Sequence, residues 1–178
     1  MNTEKKIWLL AIVFGVLFIY AVYNIFAPDR FPMSFVRGQA REITPLVLVG
    51  PYPTEREIKQ LKARGVQVLV SFLNPANPAE TMLEEEERRN AAKAGFEYLN
   101  FPMDFLHLGD LANSEQIRLA VERLKDYTGK KIYVHCYLGR HRVAMFEKEF
   151  LKKAVPETQG PAAQTRVSAP GALAPIKN

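Results

Sequence analysis

The chain has 178 residues, of which 48% are apolar, enough for one ordinary domain with its own core and one further apolar segment. Its formal net charge is +5, but acidic and basic residues are mostly interspersed, as between Glu84 and Arg89, which predicts a solvated surface and no nucleic-acid partner. Cys136 is the single cysteine, so an intramolecular disulfide and any metal or redox site built from paired cysteines are excluded.

The first predicted element is a transmembrane helix over residues 7–26, preceded by a short flank, 1–6. The segment has 20 residues without a charge, and as a helix it would span about 30 Å, the thickness of a bilayer core. Trp8 near one end and Tyr20 and Tyr23 near the other are typical of interfacial aromatics. We expect an uncleaved single-pass membrane anchor; a signal peptide or a buried helix is the alternative.

Three further regions follow the apolar segment. Residues 27–43 contain prolines, a glycine and mixed charges, which predicts a juxtamembrane linker. Residues 44–155 are predicted to form the soluble domain. Residues 156–178 carry four prolines, five alanines and no aromatic residue, and this composition predicts a disordered tail.

Within the domain, short β-branched runs alternate with helical stretches. The pattern predicts an α/β fold with a mostly parallel sheet flanked by helices. A helix over 114–127 is expected to open at Asn113, with Gln116 completing the cap. The predicted strands are 46–49, 66–72, 96–101 and 131–135, and the other predicted helices are 54–64, 79–94 and 143–154.

The chemistry is concentrated where the last predicted strand runs into a loop and a helix. Cys136 stands at the end of this strand, and Arg142 follows six residues later. A loop between the carboxyl end of a parallel strand and the amino end of a helix directs several backbone N–H groups to one place, which favours an anion site. The residues expected to surround a bound phosphate are Tyr137, Leu138, Gly139, Arg140, His141 and Arg142.

These surroundings predict a role for each of the two residues that bound the loop. The loop amides, the helix terminus and nearby positive charge would stabilise the thiolate of Cys136, which makes it a candidate nucleophile. Arg142 offers a planar fork of donors to two phosphoryl oxygens, and this interaction strengthens as charge spreads in the transition state. A lysine could supply the charge but not the fork.

The sequence His135-Cys136-Tyr137-Leu138-Gly139-Arg140-His141-Arg142 resembles the active-site loop of the protein tyrosine phosphatase superfamily, and most of all its small dual-specificity branch. The resemblance covers roughly residues 44–154. It implies a cysteine-dependent phosphatase that needs no cofactor and forms a cysteinyl-phosphate at Cys136. It also implies that His135 orders the loop and helps to keep the thiolate ionised.

The resemblance further implies an aspartic acid, on a separate loop about thirty residues before the cysteine, that protonates the leaving oxygen. Asp104 lies 32 residues upstream of Cys136, after a predicted strand that should end at the same edge of the sheet. Asp110, 26 residues upstream, is the alternative general acid. Asp104 could instead be an ordinary turn aspartate.

Several alternatives remain open at this stage. The default substrate is a phosphorylated protein, whereas the membrane anchor and the basic Arg140 and His141 also suit an inositol phosphate or phosphoinositide. Val143 stands where many relatives carry a Ser or Thr that assists breakdown of the phosphocysteine, so a catalytically weak phosphate-binding module is a further alternative. A zinc site and a rhodanese-like sulfurtransferase fit the spacing less well.

A reactive thiol without a second cysteine favours a reducing cytoplasm for the domain, although the basic flanks of the anchor leave its orientation open.

Overall fold

The computed structural model describes residues 3–25, 27, 28, 30 and 32–154. The predicted tail, 156–178, and the predicted end of the domain at residue 155 lie outside the described residues.

The apolar N-terminal segment forms one helix, α1, Thr3–Tyr23. The helix therefore begins and ends earlier than the predicted span, 7–26. After Tyr23 the chain turns, and the Asn24 side chain donates from Nδ2 to the Tyr20 carbonyl at 2.8 Å. Among the described residues, α1 is the one helix that is long and apolar enough to cross a membrane. A signal sequence would meet the same criterion of length and composition. No residue of α1 is buried.

The predicted mostly parallel sheet is present and has five strands in the order β1-β2-β5-β3-β4. Only β1 runs antiparallel to its neighbour. This strand lies partly inside the predicted linker, 27–43. The sequence pattern did not predict it, because its short and half-exposed sequence has no clear apolar alternation. The strands are β1 Arg41–Thr44, β2 Val47–Pro51, β3 Val66–Ser71, β4 Glu97–Asn100 and β5 Lys131–Cys136.

Helices cover both faces of the sheet. One face packs against α5 and α6 through a core that includes Ile117 and Phe146, and the other packs against α3 and α4 through Ile58 and Ala91. β5 therefore lies in the centre of the domain, with β2 and β3 on either side. The helices after α1 are α2 Met33–Val36, α3 Glu55–Ala63, α4 Pro78–Ala94, α5 Leu111–Arg123, which continues into a 3-10 turn at Leu124–Tyr127, and α6 His141–Ala154.

The predicted start of α5 was wrong. The helix begins at Leu111 after Asp110, and Asn113 is not its cap but a buried residue of the first turn. The Asn113 amide instead donates to the carbonyls of Asp104 and His107 at 2.8 and 3.0 Å, and its oxygen accepts from the Asp104 N–H at 2.8 Å. The asparagine thus ties down the preceding loop rather than the helix end.

The prediction of a solvated surface between Glu84 and Arg89 was also wrong in part. Glu80, Glu84 and Glu87 are all buried, on the side of α4 that faces the sheet. Their spacing places them on one helical face. Buried carboxylates require hydrogen-bonding or charged partners; for Glu84 these include Arg88, at 2.7 Å, and the Tyr98 hydroxyl, at 3.3 Å.

Candidate active site

Cys136 is the last residue of β5 and lies beside Pro51 at the end of β2. Because β2, β3 and β5 are parallel, their carboxyl ends meet at one edge of the sheet, where α/β folds place their sites. The thiol is buried, with 3% of the residue exposed. The sequence therefore brings its one thiol to the central strand at the functional edge of the sheet.

The loop after Cys136 closes tightly against β2. Gly139 has a φ of +67°, and a Cβ atom there would overlap the backbone of Gly50 and Pro51. The carbonyls of Tyr137 and Leu138 accept hydrogen bonds from Tyr52 N at 3.1 Å and Gly38 N at 2.8 Å. In a trans peptide the N–H points opposite to the carbonyl.

The N–H groups of Leu138 and Gly139 consequently point away from Tyr52 and Gly38. Residues 141–143 form the first turn of α6, where backbone N–H groups have no partner within the helix. The loop and the first turn of α6 thus carry the backbone N–H groups from which the sequence predicts an anion cradle.

Arg142 is held in place from several sides. Its Nη1 donates to the carbonyls of Phe72 at 2.7 Å and Met103 at 3.1 Å and to Glu80 Oε2 at 3.0 Å, while Nη2 donates to Glu80 Oε1 at 2.5 Å. Burial acts to lower the pKa of Arg142, but the Glu80 carboxylate and then Cys136 raise it above its ordinary value. The guanidinium therefore stays charged inside the domain, and its Nε–H takes part in none of these four contacts.

His135 precedes Cys136 and is fully buried. Its Nε2 lies 2.5 Å from Glu87 Oε1. The imidazole stacks on Tyr133, with ring centroids 5.7 Å apart, and meets the Tyr52 ring edge-on at 6.2 Å. These contacts hold the imidazole in place next to Cys136.

A cavity of about 390 Å³ opens above the thiol and the guanidinium. This volume is within the range of small-molecule sites. Its wall is largely apolar, with a few polar groups from the loop and from Glu80. The lining residues are Ile25, Met33, Glu80, Phe105, Leu108, Cys136, Tyr137, Leu138, His141 and Arg142.

Asp104 lies in the loop after β4, and its side chain is 38% exposed. Its carboxylate accepts from Leu106 N at 2.8 Å and contacts His107 Nδ1 at 2.8 Å. The bond with His107, followed by that with Leu106 N, lowers the pKa of Asp104, and the same carboxylate raises the pKa of His107. Phe105 and Leu108 of this loop line the cavity, whereas the Asp104 carboxylate does not.

Asp110, the alternative acid, occupies the N-cap position of α5, but its side chain makes no capping hydrogen bond. Its charge adds to that of Asp104 in raising the pKa of His107. The two candidate acids therefore lie on the same loop, with His107 between them in sequence. Neither side chain lines the cavity.

The structure thus brings together most of the predicted loop residues around one cavity. Gly139 shapes the loop and Arg140 is exposed, and neither residue lines the cavity. Val143 is buried in the main core cluster that also contains Cys136. Within the described ranges, no group of three or more His, Cys, Asp or Glu side chains is arranged to hold a metal ion.

The residues around the site that sequence reasoning missed include two on α4 and two in the segment after α1. Glu80 and Glu87 hold Arg142 and His135, and their spacing of seven residues within one helix is a signal that they share a face. Ile25 and Met33 line the cavity although the sequence predicts an anchor and a linker there. Nothing local in that segment indicates contact with a loop more than 100 residues away.

No protein-family model matches the chain, and no curated protein matches its sequence. Among solved structures, a candidate phosphatase (DUF442) from Shewanella putrefaciens CN-32 superposes with a TM-score of 0.56 at 19% identity, covering 71% of this chain and 75% of that chain. Tk-PTP in its active form has a TM-score of 0.49 at 23% identity, covering 70% and 76%. P. aeruginosa TpbA in complex with pTyr has a TM-score of 0.47 at 18% identity, covering 66% and 67%.

The Shewanella protein is described as a phosphatase, and the TpbA structure holds pTyr. The α/β fold that the resemblance implies is therefore confirmed. At identities below 25%, what the likeness to the Shewanella protein shows is the shared α/β fold.

Replacement of Gly139 by alanine should disable the loop. A left-handed φ costs an alanine about 1–2 kcal/mol, and the added Cβ would also displace the backbone of β2. Gly129→Ala is the matched control, because its φ is +83° but a Cβ there meets no atom within 4 Å. We expect phosphate affinity, measured by calorimetry, to be lost in Gly139→Ala and retained in Gly129→Ala; equal affinities in the two variants would contradict the role of Gly139.

Replacement of Glu80 by glutamine should release the Arg142 fork. The substitution removes the buried countercharge, so the free energy of unfolding should fall by about 3 kcal/mol, and phosphate affinity should fall at least tenfold. Glu85→Gln on the exposed face of the same helix is the control. Chemical denaturation and phosphate titration check both variants, and a Glu80→Gln protein that binds phosphate as tightly as Glu85→Gln would rule out this positioning role.

Replacement of His107 by asparagine should change the pH dependence of any reaction in which Asp104 acts as the acid. A general acid works while protonated, so kcat/KM falls as pH rises through its pKa. His107 lowers the pKa of Asp104, and its removal should move that falling limb to higher pH. The limb should be absent in Asp104→Asn with or without His107→Asn. A limb that stays in place in His107→Asn would show that Asp104 is not the titrating acid.

Proposed function

We propose that the chain is a cysteine-dependent phosphatase that hydrolyses phosphate monoesters through a cysteinyl-phosphate intermediate. The observation that carries the proposal is the shared cavity of Cys136 and Arg142, at the end of β5 and the start of α6. The loop between them supplies backbone donors, and Arg142 supplies a fixed positive charge. This is the combination that an in-line phosphoryl transfer to sulfur requires.

In the first step the Cys136 thiolate attacks phosphorus and the ester P–O bond breaks. The leaving alkoxide or phenolate takes a proton, which we assign to Asp104. In the second step a water molecule attacks the phosphocysteine, its proton returns to the same carboxylate, and inorganic phosphate leaves. The net reaction consumes one water and yields an alcohol and phosphate.

Glu80 prepares Arg142 for this reaction before substrate binds. The carboxylate and the two backbone carbonyls occupy the Nη1 and Nη2 contacts described above. The guanidinium plane is therefore fixed, and we assign its contact with the phosphoryl group to the donors that these bonds leave over, among them Nε–H. A donor held in advance does not need to reorganise in the transition state.

We further propose that α1 anchors the protein in a membrane as a single-pass helix, with the soluble domain on the cytoplasmic side. The helix has 21 residues and a length of about 30 Å, and its large apolar side chains are exposed. The proposed nucleophile Cys136 has no second cysteine with which to form a protective disulfide, and this suits a reducing compartment.

A catalytically weak phosphate-binding module is the second candidate function. Two observations favour it: Val143 is buried in the core and offers no hydroxyl to the phosphocysteine, and the Asp104 carboxylate is engaged by His107. Such a module would keep the anion cradle and Arg142. It would bind a phosphorylated ligand without releasing phosphate.

Phosphate release from an aryl phosphate by the full chain in detergent tests the proposal. We expect Cys136→Ser to abolish release, and Asp104→Asn to lower kcat by about 10²- to 10⁴-fold. Asp110→Asn is the matched control and should retain activity. A large loss in Asp110→Asn alone would transfer the acid role to Asp110, and an inactive wild type that still binds phosphate would establish the binding module.

A further inference from the structure

Part of the cavity wall comes from the segment directly after α1. We call this segment, the described residues between 24 and 40, the strap. Its Ile25 and Met33 line the cavity. The Tyr137 hydroxyl donates to the Ile25 carbonyl at 2.7 Å, and Gly38 N donates to the Leu138 carbonyl at 2.8 Å. The strap is therefore bound to the phosphate-binding loop itself.

The strap also sets the distance between the cavity and the proposed membrane anchor. Ile25 is two residues beyond Tyr23, the last residue of α1. Two residues span at most about 7 Å, and the headgroup layer of a bilayer is about 5–8 Å thick on each side. With α1 across the membrane, the wall formed by Ile25 lies at the depth of the lipid headgroups.

The lining of the cavity suits an amphiphile. Ile25, Met33, Phe105, Leu108 and Leu138 surround the thiol and the guanidinium. Polar groups that would recognise a peptide backbone or a sugar are few on this wall, and a buried polar ligand group without a partner weakens binding. A ligand that joins a phosphate to an apolar group would contact both the thiol and guanidinium and the apolar wall around them.

The surface beside the cavity also combines apolar side chains with basic ones. Phe35, in α2 with Met33, is 84% exposed, and Leu106, next to Phe105, is 70% exposed. Arg30 in the strap and Arg140 in the loop are exposed as well. Exposed apolar side chains combined with basic residues next to a membrane helix are suited to an anionic lipid surface.

We propose that the substrate is a membrane lipid bearing a terminal phosphate monoester, whose headgroup enters the cavity while the rest of the lipid stays in the bilayer. This inference rests on the proposed phosphatase function and selects a substrate class for it. The Cys136 thiolate takes the phosphoryl group and the lipid leaves as an alcohol. Water then releases inorganic phosphate. Phosphatidic acid carries its phosphate on an apolar diacylglycerol and fits this wall best, whereas a phosphatidylinositol phosphate adds ring hydroxyls for which the wall has few partners.

The test uses the full chain reconstituted into phosphatidylcholine vesicles. Separate preparations contain phosphatidic acid or a phosphatidylinositol phosphate, and parallel reactions receive a soluble phosphotyrosine peptide or an aryl phosphate. We expect kcat/KM for at least one lipid to exceed that for the peptide at least tenfold. The Cys136→Ser protein should release no phosphate from any of them, and the two lipid arms distinguish the headgroups.

Two surface variants with matched controls test the route from the bilayer. Phe35→Asn and Arg140→Gln should lower the lipid rate at least fivefold more than the aryl phosphate rate. The controls are Met82→Asn and Arg89→Gln on α4, where Met82 is 78% exposed and the Arg89 side chain is 63% exposed. The controls should leave the ratio of lipid to aryl phosphate rates unchanged.

The possible outcomes separate the lipid substrate, the phosphatase function and the route from the bilayer. Hydrolysis of the aryl phosphate without hydrolysis of either lipid, or a preference for the peptide, would overturn the lipid substrate and leave the phosphatase function standing. A wild-type protein inactive on every substrate would overturn the proposed function and, with it, the lipid substrate. Lipid hydrolysis that responds equally to the surface variants and their controls would overturn the assigned route.

Discussion

The candidate site depends on a guanidinium held inside the protein. Arg142 contacts Glu80 on α4, the Phe72 carbonyl after β3 and the Met103 carbonyl before the Asp104 loop. A buried charge that loses its partner destabilises a protein by about 3–5 kcal/mol. These elements are therefore kept in register by the same interaction that fixes Arg142 at the cavity, so the stability of the domain and the geometry of the cavity are coupled.

The helix α4 serves both the core and the site. Its buried face carries carboxylates where a helix packed on a sheet usually carries aliphatic side chains. Glu80 pairs with Arg142 and Glu87 with His135, so one helix orients residues on both sides of Cys136. Burial and the charge of Glu87 raise the pKa of the Tyr98 phenol, which therefore remains a neutral donor to the Glu84 carboxylate.

The described residues of the strap join the apolar helix to the loop after Cys136 through several hydrogen bonds. Arg37 donates to the Tyr52 carbonyl at 2.6 Å and to Glu57 at 2.8 Å, and so fixes the strap to the start of α3. Gly38 then bonds the loop directly. A linker of free chain would leave the orientation of the domain open. The strap instead sets which edge of the sheet faces the end of α1, and that edge is the one with Cys136.

The amino-acid sequence by itself determined the alternation of strands and helices, the long apolar helix, and the strand, loop and helix that carry Cys136 and Arg142. These features depend on local periodicity and on contacts within a few residues. The tertiary structure alone decided which charges are buried and what completes the cavity. The spacing of Glu80 and Glu87 predicts a shared face, but only packing shows that this face meets β5 and α6. The partner of Glu80 is 62 residues away, and Ile25 meets Tyr137 across 112 residues. Contacts at such separations depend on how the whole chain packs, and no local pattern specifies them.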